Sequence, residues 1–430
     1  MSIKNNFKYI RENLSLRTII IFIRNFFLTI LLLSPLLIYL GGSSLYEISL
    51  SKENHPFTIW NGKDPKTEII ITWETAQSES SAVWLGKESN LLSLVYNGDG
   101  AGVKVHRVEL TSLELGTKYY YRVGVNSEPP LFHGPLSSFT TAPDDENTEF
   151  KFALYSDSQQ LFGIGSHDRI AKALEGYNDL AFVGNIGDLC QEWDHQGDWN
   201  LYLLESRSFM SQTIFVPVLG NHDGWYGESE GHENKYKKYF GIATDSNFAD
   251  ENHTLFNYTF SYSNTQFIVA EISKTEDEDP NEIRNINHDI WLNSTLANCQ
   301  DKTFRILMFH RQVFSSNGMN TRLINRIVPI VEKYNISMVI YGHTHHYERF
   351  LYNGVTYLLL ASGGVMPTDT GINPSTPYTK SFNMGTSFTF FSVSPNNLTV
   401  KTITPDNDII DSFVLKAENS KAVLLAGGVG

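Results

Sequence analysis

Five short stretches of this sequence gather carboxylate, imidazole and amide side chains, and each follows an apolar run of the kind that forms a β-strand. Phe150–Tyr155 leads into Ser156-Asp157-Ser158-Gln159, and Leu180–Val183 leads towards Gly187-Asp188-Leu189-Cys190. Ile214–Leu219 leads into Gly220-Asn221-His222-Asp223, and Phe304–Phe309 into His310-Arg311. Ser337–Tyr341 leads into Gly342-His343-Thr344-His345-His346-Tyr347-Glu348-Arg349. Carboxylates together with imidazoles and one amide oxygen suit a borderline divalent or trivalent ion such as Zn, Mn or Fe. Glycines at 187, 220 and 342 let the backbone turn tightly beside each group. A single Gly-Asn-His-Asp or Gly-His-x-His arises easily by accident. All five in chain order, each at a strand end, point to metal-assisted chemistry.

The elements that must carry these loops follow from periodicity. From Phe150 onward, strand-like runs alternate with helical ones: helices are expected at Ile170–Leu174, Trp199–Met210 and Leu323–Tyr334, and further strands at Phe256–Phe260 and Gln266–Ala270. That alternation predicts an α/β layered domain whose strands feed functional loops at their C-terminal ends. From Val355 to Leu415 the strands are aromatic or β-branched and helical signals fade. The charge-dense stretch Lys274–Glu282 reads as a solvated loop. Residues 57–141 differ. Glu68–Trp73, Val103–Leu110 and Tyr119–Val123 read as short strands, with Asn61-Gly62 and Asn97-Gly98-Asp99-Gly100 as turns, which predicts a β-sandwich. Ala142-Pro143 and the acidic run to Glu149 form a linker.

Composition bounds the rest. With 430 residues, 41% hydrophobic and 19% charged, the chain suits two folded domains rather than one, and is not a disordered chain. A net charge of −14 argues against a nucleic-acid-binding surface. Two cysteines exclude a disulfide scaffold. The first residues are different in kind: Lys4, Lys8, Arg11, Arg17 and Arg24 oppose only Glu12 and precede the apolar run Phe26–Leu40. This is the pattern of a signal anchor or signal peptide, with the positive end inside, and it places the main body outside the cytoplasm. Asn-x-Ser/Thr sequons at Asn252, Asn257, Asn293, Asn335 and Asn397 add weak support for that compartment. The expected division is residues 1–44 as the basic segment with its anchor or signal, 45–143 as the β-sandwich, 150–416 as the catalytic domain and 417–430 as a tail.

The five loops resemble the motifs of the calcineurin-like metallophosphoesterase superfamily, closest to the purple acid phosphatases: D-x-G, G-D-x-x-Y, G-N-H-D/E, V-x-x-H and G-H-x-H. Gly342–Arg349 is very close to that branch's last motif. Leu113–Val123 resembles the corner before a late strand of fibronectin type III domains, which fits the same branch, as does the ending Asp406–Leu415. The likeness spans roughly residues 55–415 and implies an α/β/β/α sandwich behind a fibronectin III-like domain. It also implies two metal ions, Fe, Zn or Mn, that share Asp188. The first site would take Asp157, Asp188 and His345, and the second Asp188, Asn221, His310 and His343. His222 would face the phosphate with Asp223 orienting it, while a metal-bound hydroxide attacks phosphorus. The bridging carboxylate has two oxygens, enough to hold ions about 3.5–4 Å apart. The implied activity is hydrolysis of phosphate monoesters at mildly acidic pH. The alternatives are a phosphodiesterase or nucleotidase on the same site, or a non-catalytic phosphate-binding or adhesion protein.

Two departures bear on the metals. Gln191 stands where the family has its tyrosine, and Gln159 where it has Gly or, in other branches, His. Without a phenolate, no violet colour and a Zn, Mn or Fe(II) content are expected. Cys190 is read as a turn residue rather than a ligand, and His346 as pointing away from the ions. Glu348 and Arg349 are expected to pair with each other. Trp193, Trp199, Trp225 and Tyr226 either rim the site or pack beneath its loops.

Overall fold

The computed structural model describes residues 55–98, 102–160, 165–224, 235–241, 256–272, 283–365, 374, 376–418 and 421–425. The N-terminal segment read as anchor or signal lies outside the described residues, as do Trp225, Tyr226 and the stretch Lys274–Glu282. Among the described residues no helix is long and apolar enough to cross a membrane.

The first seven strands are β1 (Phe57–Ile59), β2 (Ile69–Glu79), β3 (Ala82–Glu88), β4 (Leu91–Asn97), β5 (Val103–Leu110), β6 (Lys118–Val125) and β7 (Leu131–Thr140). Strands β4-β3-β6-β7 form one antiparallel sheet, and β1, β2 and β5 face it across a core of Trp73, Val83, Val108, Tyr121, Val123 and Phe139. The expected sandwich is present, but it is not a closed unit. Strand β1 pairs in parallel with Ile214–Pro217 through Ile59 and Phe215, so one half of the sandwich continues a sheet of the following domain.

That domain begins with β8 (Phe150–Tyr155), α1 (His167–Leu174), β9 (Leu180–Asn185), α2 (Gln196–Met210), β10 (Ile214–Pro217) and α3 (Lys235–Phe240). It continues with β11 (Tyr258–Tyr262), β12 (Thr265–Val269), α4 (Ile283–Asn298), β13 (Phe304–Met308), α5 (Thr321–Lys333) and β14 (Met338–Tyr341). The remaining strands are β15 (Tyr347–Tyr352), β16 (Val355–Leu360), β17 (Thr379–Asn383), β18 (Phe388–Val393), β19 (Asn397–Ile403), β20 (Ile409–Glu418) and β21 (Lys421–Leu425). Among the described residues, ten strands form one sheet, ordered β21-β20-β19-β18-β8-β9-β10-β1-β2-β5, and seven form another, ordered β11-β12-β13-β14-β16-β15-β17. Strand β21 extends the first sheet with residues that the sequence reading assigns to a tail.

Both faces of the central strands are apolar, as strands covered on each side must be. Phe152, Leu154, Phe182, Ile214 and Val216 meet Phe267, Val269, Ile306, Met308 and Ile340 between the sheets. The alternate residues Ala153, Tyr155, Val183 and Phe215 take Ile170, Leu174, Trp199 and Phe209 of α1 and α2. On the far side Ile268, Leu307, Val339 and Tyr357 take Leu292, Leu296, Leu323, Ile327 and Val331 of α4 and α5. The result is four layers, α/β/β/α. Strands β8, β9 and β10 run parallel to one another, as do β12, β13 and β14, so the C-terminal ends of each set lie along one sheet edge.

One inward position of β5 is a histidine. His106 is fully buried, stacks on Trp73 at 4.6 Å between ring centroids, and bonds Thr75 Oγ1 at 2.9 Å and Ser81 Oγ at 2.8 Å. Burial, then the charge of His133, lowers its pKa to about 4. Because the folded value lies below the unfolded value of about 6.5, protonation favours unfolding. Its contribution is complete above pH ~6.5 and is lost as pH falls towards ~4, a change of about 2–3 kcal/mol. The expected result for His106→Gln is lower stability at neutral pH but a flatter acid limb, seen as melting curves that converge with wild type between those two pH values.

Candidate metal centre

The loops after β8, β9 and β10 bring Asp157, Asp188 and Asn221 from the first sheet, and those after β13 and β14 bring His310, His343 and His345 from the second. Main-chain bonds lock the two sets together. The His343 N–H donates to both Asp157 oxygens at 3.1 and 3.0 Å, the Gly342 N–H to the His310 carbonyl at 2.9 Å, and the Val365 N–H to the Asp157 carbonyl at 3.0 Å. Asp157, Asp188 and His343 have φ of +58°, +55° and +84°. This left-handed conformation costs about 1–3 kcal/mol at each residue and clusters at functional sites. Glycine is required here chiefly by crowding. Gly187 has φ +96° and a Cβ there would meet the His310 ring at 2.5 Å, while a Cβ on Gly342 would overlap Ser156 Oγ and crowd Asp157 Oδ2.

Asp188, His310 and His343 offer ligand atoms that all lie within 4.8 Å of one another. His310 Nε2 lies 3.1 Å from Asn221 Oδ1 and 3.2 Å from Asp188 Oδ2. The other ring nitrogen, Nδ1, lies 2.9 Å from the Ile186 carbonyl, which can only accept. A neutral His310 therefore turns the lone pair of Nε2 onto two oxygen acceptors, an arrangement that calls for a cation. Burial pushes the pKa of His310 down, but the Asp188 carboxylate pulls it up to about 9, as an opposite charge at contact distance does. Burial would likewise raise Asp188, and His310 holds it below the usual carboxylate range. The fit to a metal is good, because a ligating histidine commonly donates its second N–H to a backbone carbonyl.

On the other side of Asp188, His345 Nε2 lies 3.7 Å from Asp157 Oδ1. One oxygen of Asp188, Oδ2, lies 3.2 Å from Gln159 Nε2 and 3.2 Å from His310 Nε2. The second oxygen, Oδ1, accepts the His222 N–H at 2.8 Å. Asp188 Oδ2 thus faces the cluster, while Oδ1 is tied to the backbone.

His222 Nδ1 lies 2.7 Å from the Gln191 carbonyl. That contact fixes the tautomer with Nε2 available to a ligand. Asp223 is not the orienting group for this ring. Its carboxylate accepts the N–H groups of Leu189 at 2.7 Å, Cys190 at 3.2 Å and Gly220 at 2.8 Å, and so staples two loops. Arg311 is an addition that sequence reasoning passes over although it adjoins His310: its Nη1 lies 2.7 Å from His343 Nε2.

Residues 150–347 match the calcineurin-like phosphoesterase family, and residues 55–141 match the N-terminal domain of purple acid phosphatases. The chain therefore carries a calcineurin-like phosphoesterase domain behind a purple acid phosphatase N-terminal domain. Purple acid phosphatase 21 of Arabidopsis thaliana is 22% identical over 334 residues, 74% of this chain and 70% of its own length. An uncharacterized protein of Mycobacterium tuberculosis is 23% identical over 331 residues, 67% of this chain; the match spans only 60% of that relative's length. The purple acid phosphatase PPD1 from yellow lupin seeds superposes with a TM-score of 0.69 at 16% identity, covering 86% of this chain and 75% of the other, a likeness of fold.

The residues around the cluster have separate partners. The Cys190 thiol is buried, and burial with Asp223 pushes its pKa well up, so it is a poor ligand. His346 is fully buried, bonds Glu348 at 3.1 Å and packs on Phe382. Glu348 and Arg349 do not pair, because neighbours on a strand point to opposite faces. Glu348 takes His346, Ser316 and Thr379, whereas Arg349 takes Asp411 at 2.6 and 3.1 Å. Trp199 is core, packed on Tyr236, Tyr239 and Phe240. Gln191 lines a small pocket with Ser158, Gln160, Asp198 and Tyr202.

Proposed function

We propose that this phosphoesterase hydrolyses phosphate monoesters at a dinuclear metal centre. The observation that carries the reading is Asp188 Oδ2 between His310, which also meets Asn221, and Gln159, whose amide also meets His345 beside Asp157. The ions, when bound, would acidify water and spread the negative charge of the phosphoryl group. The first site would be held by Asp157, Asp188 and His345, and the second by Asp188, Asn221, His310 and His343. The chain's own groups do the rest. Ile186 fixes the His310 tautomer, Asp157 and Asp188 balance the positive charge, and His222 presents Nε2 to the ester. Arg311 adds a permanent cation for phosphate oxygens. Gln191 replaces a phenolate, so the ions would be Zn(II), Mn(II) or Fe(II) and the protein colourless.

The basic-then-apolar composition of residues 1–44 supports an extracytoplasmic site of action for the enzyme, secreted or held at a membrane. The decisive test is hydrolysis of p-nitrophenyl phosphate against its bis-ester, with ions per chain counted by elemental analysis. Monoester turnover that vanishes on chelation and returns with Zn(II) or Mn(II) is expected. Faster bis-ester turnover would make the protein a phosphodiesterase instead. Asn221→Ala, which removes one neutral ligand beside His310, is expected to reduce turnover by about 100-fold or more; unchanged phosphate release would count against the assignment.

A further inference from the structure

We propose that Gln159 completes the first metal site through its side-chain oxygen, and so makes that site richer in oxygen donors than the second. The inference rests on the dinuclear reading above. Its starting point is that Gln159 is placed with the same rigidity as the ligands. The N–H groups of Asp157, Ser158 and Gln159 donate to the carbonyls of Gly187, Asp188 and Asp188 at 3.0, 3.0 and 3.1 Å. The Gln159 side chain is 1% exposed, so its amide has little room to go elsewhere.

The amide nitrogen sits at ligand spacing. Gln159 Nε2 is 3.2 Å from Asp188 Oδ2 and 3.3 Å from His345 Nε2. Two ligands on an ion with bonds of about 2.1 Å lie about 3.0–3.4 Å apart, depending on geometry. The end of the amide therefore occupies the position of a co-ligand, but it presents the wrong atom, since an NH2 group is a donor only. Meanwhile Gln159 Oε1 is buried and has no hydrogen-bond partner, a state that costs about 1–3 kcal/mol.

A cation held by Asp157, Asp188 and His345 changes the balance at this amide. It repels the NH2 group and attracts the carbonyl oxygen. Half a turn about the Cγ–Cδ bond exchanges the two and brings Oε1 to the ion. Gln191 is the weaker candidate for this role, because its main-chain carbonyl is committed to His222 and the residue lines a neighbouring pocket. The first site then has three oxygens and one nitrogen, from Asp157, Asp188, Gln159 and His345. The second has two of each, from Asp188, Asn221, His310 and His343. Oxygen-rich sets suit Mn(II) better than imidazole-rich ones do, so the two sites should differ in metal preference.

The test is Mn(II) binding to the metal-stripped full chain, with free Mn(II) counted by electron paramagnetic resonance. Wild type is expected to bind two ions. Gln159→Ala should keep one tight ion and bind the other about 10- to 100-fold more weakly. Gln159→Glu, which keeps the shape and adds charge, should tighten the same ion and so tests the contact even if the alanine variant folds poorly. Gln159→His should restore two ions and shift the competition at one site from Mn(II) towards Zn(II). Unchanged binding of both ions in Gln159→Ala, or unchanged affinity in Gln159→Glu, overturns the proposal while leaving the dinuclear centre intact. Wild type that binds no second ion overturns the dinuclear reading itself, and this inference with it.

Discussion

Asp188→Asn is expected to abolish binding of both ions and to reduce hydrolysis of p-nitrophenyl phosphate by about 10³-fold or more. The substitution is nearly isosteric, and Oδ1 can still accept the His222 N–H, so the loop keeps its shape. What changes is the atom that faces Gln159 and His310. In the proposed dinuclear centre a negative oxygen there would serve both ions, and an amide would remove that charge from each. A metal ion supplies several kcal/mol of transition-state charge stabilisation, and about 4 kcal/mol already amounts to a factor near 10³. Asp157→Asn is the discriminating control. Asp157 lies on the His345 side, with His343 reaching it only through the main-chain N–H, so its loss should weaken one ion and spare the other. If Asp188→Asn keeps two ions, or if Asp157→Asn loses two, the shared-oxygen account is wrong. The count of ions per chain decides this without any activity measurement.

Much of this centre is legible in the sequence because two strong constraints coincide there. Apolar runs mark strands covered on both faces, and metal chemistry restricts which side chains can follow them. Asp157, Asp188, Asn221, His310, His343 and His345 satisfy both, so their convergence can be expected before any coordinates. Legibility fails where a contact depends on register or on which face of an element is turned inward. The parallel pairing of Ile59 with Phe215 joins strands far apart in the chain, and no local signal announces it. Helix α4 follows a charged stretch and is rich in Asn and Ile, residues of modest helix propensity. Packing of Leu292 and Leu296 on the second sheet sustains it more than its composition does. Adjacency in sequence suggests that Glu348 and Arg349 pair with each other, whereas β15 sends them to opposite faces. The family resemblance assigns Asp223 to orienting His222, although three main-chain N–H groups claim its carboxylate. In sequence Gln159 reads as a defect in a motif. Only its burial and its unpartnered oxygen show that it has a place among the donors.

His222→Ala is expected to leave the number of bound ions unchanged and to lower kcat by about 10²–10⁴, the range for loss of a positioned general acid. Metal content should hold because the ring is anchored by the Gln191 carbonyl and only its main-chain N–H touches a candidate ligand. The substrate series then separates two roles that a single rate cannot. If Nε2 donates a proton to the departing oxygen, its removal hurts most when that oxygen is strongly basic. An alkyl phosphate should then lose far more than p-nitrophenyl phosphate, whose leaving group departs readily without a proton. If the ring only stabilises charge on the phosphoryl oxygens that stay behind, both substrates should lose the same factor. The fixed tautomer favours the first outcome. Nδ1 is held by a carbonyl that can only accept, which leaves Nε2 as the site where a proton is gained and given up. Equal losses across the series would assign His222 to charge stabilisation, and no loss at all would remove it from the reaction.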